Sequence, residues 1–154
     1  MALVKGTNSY ATAAEADSYF GDMASRDAWS ASAVKEQLLI TATQMVDENT
    51  WTGAVIDEDQ ALAFPREGTY FDPKMGIMRE MSEVPERIVN AVFEQAYHIL
   101  LNDGLGDDTG GVTDVEVSGI VINNIKGPKR LGSKVGVLIR PLLSNSSGSW
   151  WRAN

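Results

Sequence analysis

The stretch Val84-Pro-Glu-Arg-Ile88-Val-Asn-Ala-Val92-Phe-Glu-Gln-Ala96-Tyr-His-Ile99-Leu-Leu-Asn-Asp-Gly104 decides the fold. Ile88, Val92, Ala96 and Ile99 recur at the spacing of one helical face, and Val89, Phe93 and Leu100 widen that stripe. The spacing predicts a central helix over 85–102, buried on most sides. Pro85 suits its first turn, and Asn102-Asp103-Gly104 stops it. Two upstream helices supply its partners. Thr12-Ala-Ala-Glu15 reads as a capping box, followed by Ala16, Tyr19, Phe20 and Met23, for a helix over 13–24. The second runs over 33–48, with Val34, Leu38, Ala42, Met45 and Val46 as its stripe and Leu39 on the flank. Phe20, Leu38, Met45, Ile88, Val92, Ala96 and Ile99 are the expected shared core, with Trp29 folding back from a polar link to plug it.

Between the helices the period is lost. Trp51-Thr-Gly53 reads as a turn, and the apolar patch Gln60-Ala-Leu-Ala-Phe64 ends at Pro65. Residues 66–83 keep no period yet hold Tyr70, Phe71, Met75, Met78 and Met81, which suits a loop that contacts a neighbouring subunit or tail component. After Gly104 a glycine and aspartate linker reaches Gly111. Val115, Val117, Ile120, Ile122 and Ile125 then have strand spacing around Ser118-Gly119, as in a small hairpin. Lys134 to Leu143 forms a short last helix weakened by Gly136 and Pro141. The expected class is mainly α: a bundle of three main helices plus a short C-terminal one, with a small β-hairpin and an extended tail. The bundle takes residues 1–104, and the hairpin and last helix take 105–143 of the same domain. Residues 144–154 form a flexible tail that docks on a partner.

A chain of 154 residues that is 44% apolar suits one hydrophobic core. It has no cysteine, so disulfides and thiol chemistry are excluded. No run approaches the length of a membrane span, and the first residues lack the pattern of a signal peptide, so the expected compartment is the cytoplasm of the producing cell. The formal charge is −8, which argues against nucleic acid as the main partner. The charge is also uneven. Residues 1–104 carry 17 acidic and 7 basic side chains, whereas Lys126, Lys129, Arg130, Lys134, Arg140 and Arg152 have no acidic residue among them after Val117. The C-terminal third is therefore expected to meet a different surface.

No catalytic constellation is present. His98 is the sole histidine and lies beside the apolar stripe, as a packed or capping residue does. Asp57-Glu58-Asp59 and the group Asp103, Asp107, Asp108 lack the alternating ligands and glycine of a calcium loop and read as solvated acidic loops. No metal, cofactor or enzymatic activity is expected. The tail differs in kind. Trp150 and Trp151, followed by Arg152 and mounted on the Ser144–Ser149 linker, are residue types enriched at interface hot spots.

The pattern Asn8-Ser-Tyr-Ala-Thr-Ala-Ala-Glu-Ala-Asp-Ser-Tyr-Phe20, then Trp51-x-Gly53, Gln60-Ala-Leu-Ala-Phe-Pro-Arg66, Gly68, Val84-Pro85 with Ala91 and Ala96, and Arg140-Pro-Leu-Leu143 resembles the head-to-tail adaptors of tailed bacteriophages. That family is often labelled DnaT-like single-stranded DNA-binding proteins. The resemblance covers residues 8–143; the chain departs from it in Phe64, where Trp is commoner, and in the Trp150-Trp151 tail. It implies a virion neck protein, made in the host bacterial cytoplasm, that forms a homo-oligomeric ring of twelve copies under the portal. Its partners would be the portal on one side and a stopper, nozzle or tail-terminator protein on the other, with viral DNA passing through unbound. Arg140, Trp150, Trp151 and Arg152 would meet the portal or a neighbouring subunit, and Tyr70, Phe71, Met75 and Met78 a subunit or the tail. The alternative is a single-stranded DNA-binding replication protein, which needs stacking aromatics and a basic groove.

Overall fold

The computed structural model describes residues 1–24, 26–102, 104, 114–117, 120–123 and 129–144. The fold is mainly α. In chain order it runs α1 (Ala13–Gly21), α2 (Asp27–Ala31), α3 (Lys35–Asp47), β1 (Ala54–Val55), β2 (Arg66–Glu67), β3 (Thr69–Asp72), β4 (Ile77–Glu80), α4 (Glu86–Leu101), β5 (Asp114–Val117), β6 (Ile120–Asn123) and α5 (Ser133–Ile139). A 3-10 turn, Arg140–Leu142, continues α5. The described strands form three separate antiparallel pairs, β1 with β2, β3 with β4 and β5 with β6.

The helix α4 is central, with α3 packed on one side and α5 on another. Ile88, Val92, Ala96 and Ile99 are buried, as their spacing predicts, against Leu39, Ala42 and Val46 of α3 and Val135 and Ile139 of α5. Pro85 stands one place earlier than expected, at the N-cap with extended backbone. Two members of the predicted α3 stripe fall away. Val34 precedes the helix and is exposed, and Met45 is only partly buried, with its sulfur accepting from Gln95 of α4. Trp29 is buried as a plug. It sits in the short helix α2 rather than in an irregular link, with its ring 4.9 Å from Phe20 and its indole N–H donated to Asp17.

The capping box at α1 is present: Thr12 Oγ1 accepts from the Glu15 amide at 3.2 Å, and Glu15 Oε2 accepts from the Thr12 amide at 2.7 Å. Hydrogen bonds from Lys5 and the Thr12 amide hold the Glu15 carboxyl below its ordinary range. Thr12→Ala is expected to cost about 1 kcal/mol in chemical denaturation, and an unchanged midpoint would show that α1 is fixed by packing alone.

The segment 49–83 is more ordered than its sequence pattern suggests. Arg66 clasps three carbonyls, with Nε on Thr52 at 2.8 Å, Nη2 on Gly53 at 2.7 Å and Nη1 on Ala63 at 3.2 Å. Gln60 bonds the Ile56 and Asp57 amides and the Leu62 and Pro65 carbonyls. The Trp51 and Phe64 rings meet at 5.0 Å. Tyr10 donates its hydroxyl to Asp47, which also accepts from the Ala63 amide at 3.1 Å. Tyr10, Trp51, Gly53 and Gln60–Arg66, part of the pattern that carried the family resemblance, therefore lie in one hydrogen-bonded and ring-packed knot.

Candidate functional site

Residues 66–83 are not a loop without secondary structure: Arg66–Glu67 is β2, and 69–80 form a hairpin of β3 and β4. Its register pairs Thr69 with Glu80, Tyr70 with Arg79, Phe71 with Met78 and Asp72 with Ile77. Alternation along β3 turns Tyr70 and Asp72 inward and Phe71 outward. Tyr70 is thus a core residue, not a contact residue: it is buried, and the loss of hydration pushes its hydroxyl pKa up. Asp72 is buried as well and lies 3.6 Å from Arg87 and 3.9 Å from Arg79. Arg87 continues to the carbonyls of Leu138 at 2.9 Å and Val137 at 3.2 Å, which fastens the hairpin to α4 and α5.

On the outer face Phe71 stands opposite Met78, 53 and 59% exposed; Met75 in the turn and Ile77, which pairs with Asp72 on the other face, are exposed as well. Among the described residues, Phe71 is the one aromatic side chain classed as exposed. Lys74 in the turn and Arg79, opposite Tyr70 on the inner face, line a cleft of about 420 Å³ between the hairpin and the start of α4. That cleft also carries Asp72, Glu80, Glu83, Glu86 and Arg87, so its carboxylates outnumber its cations. The 3-10 turn with the exposed Arg140 packs against β3. The structure therefore sets Phe71 and Met78 together on the outer face with Met75 in the turn, turns Tyr70 to the inner face, and leaves Arg140 exposed on the 3-10 turn that packs against β3. Trp150, Trp151 and Arg152, like the linker over 105–111 and the tail beyond Ser144, lie outside the described residues.

The basic C-terminal third is partly neutralised where it can be followed. Lys134 pairs with the buried Glu94, and Arg130 with Glu48. Lys129 and Arg140 are exposed and make no ion pair among the described residues. The backbone that carries these charges is pinned by α4. Gln95 Nε2 donates to the Arg130 carbonyl at 2.8 Å, and the Gly132 amide donates to Gln95 Oε1 at 3.1 Å. His98 Nε2 donates to the Lys129 carbonyl at 2.7 Å, which accounts for the sole histidine as an anchoring side chain. Asp57, Glu58 and Asp59 are exposed, and Asp57 accepts from the Asp59 amide at 3.0 Å in a local turn. Among the described residues, no three acidic or histidine side chains are grouped to hold a metal. No described helix is long and apolar enough to cross a membrane.

The sequence reading missed Lys74, Arg79 and Ile77. Its one available signal was Lys74-Met75-Gly76 as a turn, in which Gly76 takes φ 69°. A second hollow, about 510 Å³, lies between the C-terminal half of α3, Thr7 and Asn8, and the loop at Ala61 and Leu62.

Compared with known protein families, residues 2–152 match the family described as "Putative DnaT-like ssDNA binding protein", and the chain belongs to it. No curated protein matches the chain, and no solved structure does. The family description overturns the function expected from the resemblance. It names single-stranded DNA binding, the alternative reading, and not a structural adaptor between phage head and tail.

Proposed function

We propose that this chain is a single-stranded DNA-binding protein without catalytic activity, which engages DNA through the outer face of the β3–β4 hairpin. The observation that carries the reading is the half-exposed Phe71, backed by Met78 and with Lys74 in the adjoining turn, in a chain whose family is described by that activity. An aromatic face on a rigid strand gives a base a stacking surface, and neighbouring cations meet the phosphates on either side. The acidic body does not oppose this, because charge acts locally: at ordinary salt the Debye length is about 8 Å.

Fluorescence anisotropy with a labelled oligothymidine tests the reading. For each cation that meets a phosphate, the logarithm of the affinity should fall against the logarithm of salt with a slope of about −0.7. Phe71→Ala should cost about 1–3 kcal/mol of binding while leaving the melting temperature in place, since Phe71 is outside the core. Absence of binding at 50 mM salt would refute the proposed activity. Full affinity in the Phe71 variant would refute the hairpin as the site.

A further inference from the structure

We infer that the cleft between the β3–β4 hairpin and the start of α4 binds a guanidinium group, as an arginine side chain presents it. The inference goes beyond the DNA reading and does not depend on it. Tyr70, which lines the cleft, lies on the face of the hairpin opposite Phe71.

Tyr70 carries the argument. It is 5% exposed and its ring belongs to the core, yet its hydroxyl has no hydrogen-bond partner among the described residues. Thr43 Oγ1 and Trp51 Nε1 are unpartnered because they are sealed from solvent; the Tyr70 hydroxyl is not sealed, so a ligand can reach it. The charged groups that act on it are Asp72, Arg79, Arg87 and Glu86, and all four line the cleft with it. A buried tyrosine usually finds a partner for its hydroxyl, and one that ends unpaired in a cleft points to a group arriving from outside. Asn90, half-buried one turn along α4 from Glu86, also lines the cleft with its carboxamide unbonded among the described residues.

The charge left free in the cleft is negative. Arg87 is taken up by Asp72 and by the Leu138 and Val137 carbonyls, and Arg79 leans on Asp72 at 3.9 Å. Glu80, Glu83 and Glu86 are exposed and make no ion pair among the described residues, against Lys74 as the remaining cation. A cation is therefore what the cleft attracts. Among the described residues no three carboxylates are grouped to hold a metal ion. Separated acceptors suit a guanidinium instead, because its N–H donors fan out over a plane. Tyr70 Oη, Asn90 Oδ1 and the carboxylates of Glu83 and Glu86 would accept from it, while the aliphatic stem lies on Val84, Pro85 and Leu138. At about 420 Å³ the cleft has ample room for one such side chain.

The test is an NMR titration of the full chain with Nα-acetyl-arginine amide, following the Tyr70 ring and the Asn90 side-chain amide. Both signals should shift saturably. Nα-acetyl-citrulline amide keeps the shape and loses the charge, and should bind about tenfold more weakly or worse. Tyr70→Phe keeps the buried ring and removes only the hydroxyl, and Glu83→Gln alters an exposed side chain, so both variants should fold. Each should weaken the arginine amide about tenfold, read at Asn90. Free arginine, run in parallel, identifies the source. Tighter binding of the amide assigns the site to an arginine within a polypeptide, tighter binding of the free amino acid to a small molecule, and both support a guanidinium site. The inference is overturned if neither signal moves, if the citrulline amide moves both equally well, or if Tyr70→Phe binds unchanged. It is overturned as well if Nα-acetyl-glutamate amide is the tighter ligand, which would mean that Lys74 and Arg79 govern the cleft. None of these outcomes bears on oligothymidine binding, so the two readings stand or fall apart.

Discussion

Gly53→Ala is expected to destabilise the protein by about 2–5 kcal/mol, from left-handed backbone strain and from overpacking together. Gly53 has φ 74°, and a Cβ built on it would lie 2.0 Å from the Glu67 carbonyl oxygen. That oxygen cannot easily retreat. Glu67 is paired with Ala54 in the β1–β2 ladder, and Arg66 next to it is bonded to the carbonyls of Thr52 and Gly53. Gly76→Ala is the matched control. Gly76 also has positive φ, 69°, but a Cβ there meets nothing within 4 Å, so its loss should be limited to strain, about 1–2 kcal/mol. Urea unfolding of both variants separates clash from strain. Equal losses would mean that the Gly53 contact relaxes and that the knot around Arg66 is softer than its hydrogen bonds suggest.

Glu94→Ala should cost about 3–5 kcal/mol, the usual penalty for removing one partner of a buried charge pair. Glu94 is 6% exposed on α4. It accepts from the Tyr19 hydroxyl at 2.9 Å, pairs with Lys134, and lies 3.5 Å from Arg26. The Arg26 guanidinium lies 4.3 Å over the Tyr97 ring, and its Nε is buried without a partner, so the variant would leave a cation enclosed. The three donors do not contribute equally. Lys134 is more than half exposed, and Lys134→Ala should cost no more than about 1 kcal/mol. The double replacement Glu94→Leu with Arg26→Met should recover most of the loss, because no charge is then left alone. Thermal melts of the set decide the matter. A Glu94→Ala variant within about 1 kcal/mol of the parent would show that Arg26 simply turns to water.

The helices were legible because their signal is local. In α4 the apolar period persists over 16 residues, and in α1 the capping residues stand three apart. The hairpin was not legible, for a physical reason. A half-buried strand announces itself by alternating apolar and polar side chains, but here one of the two inward residues of β3 is Asp72, held by arginines, and all four residues of β4 are exposed. Its pairing is visible only once Arg87 and α5 are in place. The candidate site was half visible for the same reason. Phe71, Met75 and Met78 stood out by residue type, whereas the burial of Tyr70 and the approach of Arg140 depend on contacts far apart in the chain. Glu94 reads as an interruption of a stripe until its three donors arrive from α1, the turn before α2, and α5.

The anchoring of Lys129 on His98 has a consequence for how the chain can change over time. Asn102, where α4 ends, donates its amide to the His98 carbonyl at 2.8 Å, and Lys129 is held on the ring of that same histidine. Asn102 and Lys129 therefore meet at one histidine, so whatever branch of chain joins them is closed at its base. The entropy of closing such a branch grows only with the logarithm of its length, so a doubling adds about 0.6 kcal/mol. Lineages are free to lengthen, shorten or replace this branch without renegotiating the helices. For the same reason it is the natural place to host a foreign sequence, such as an epitope or a second binding module.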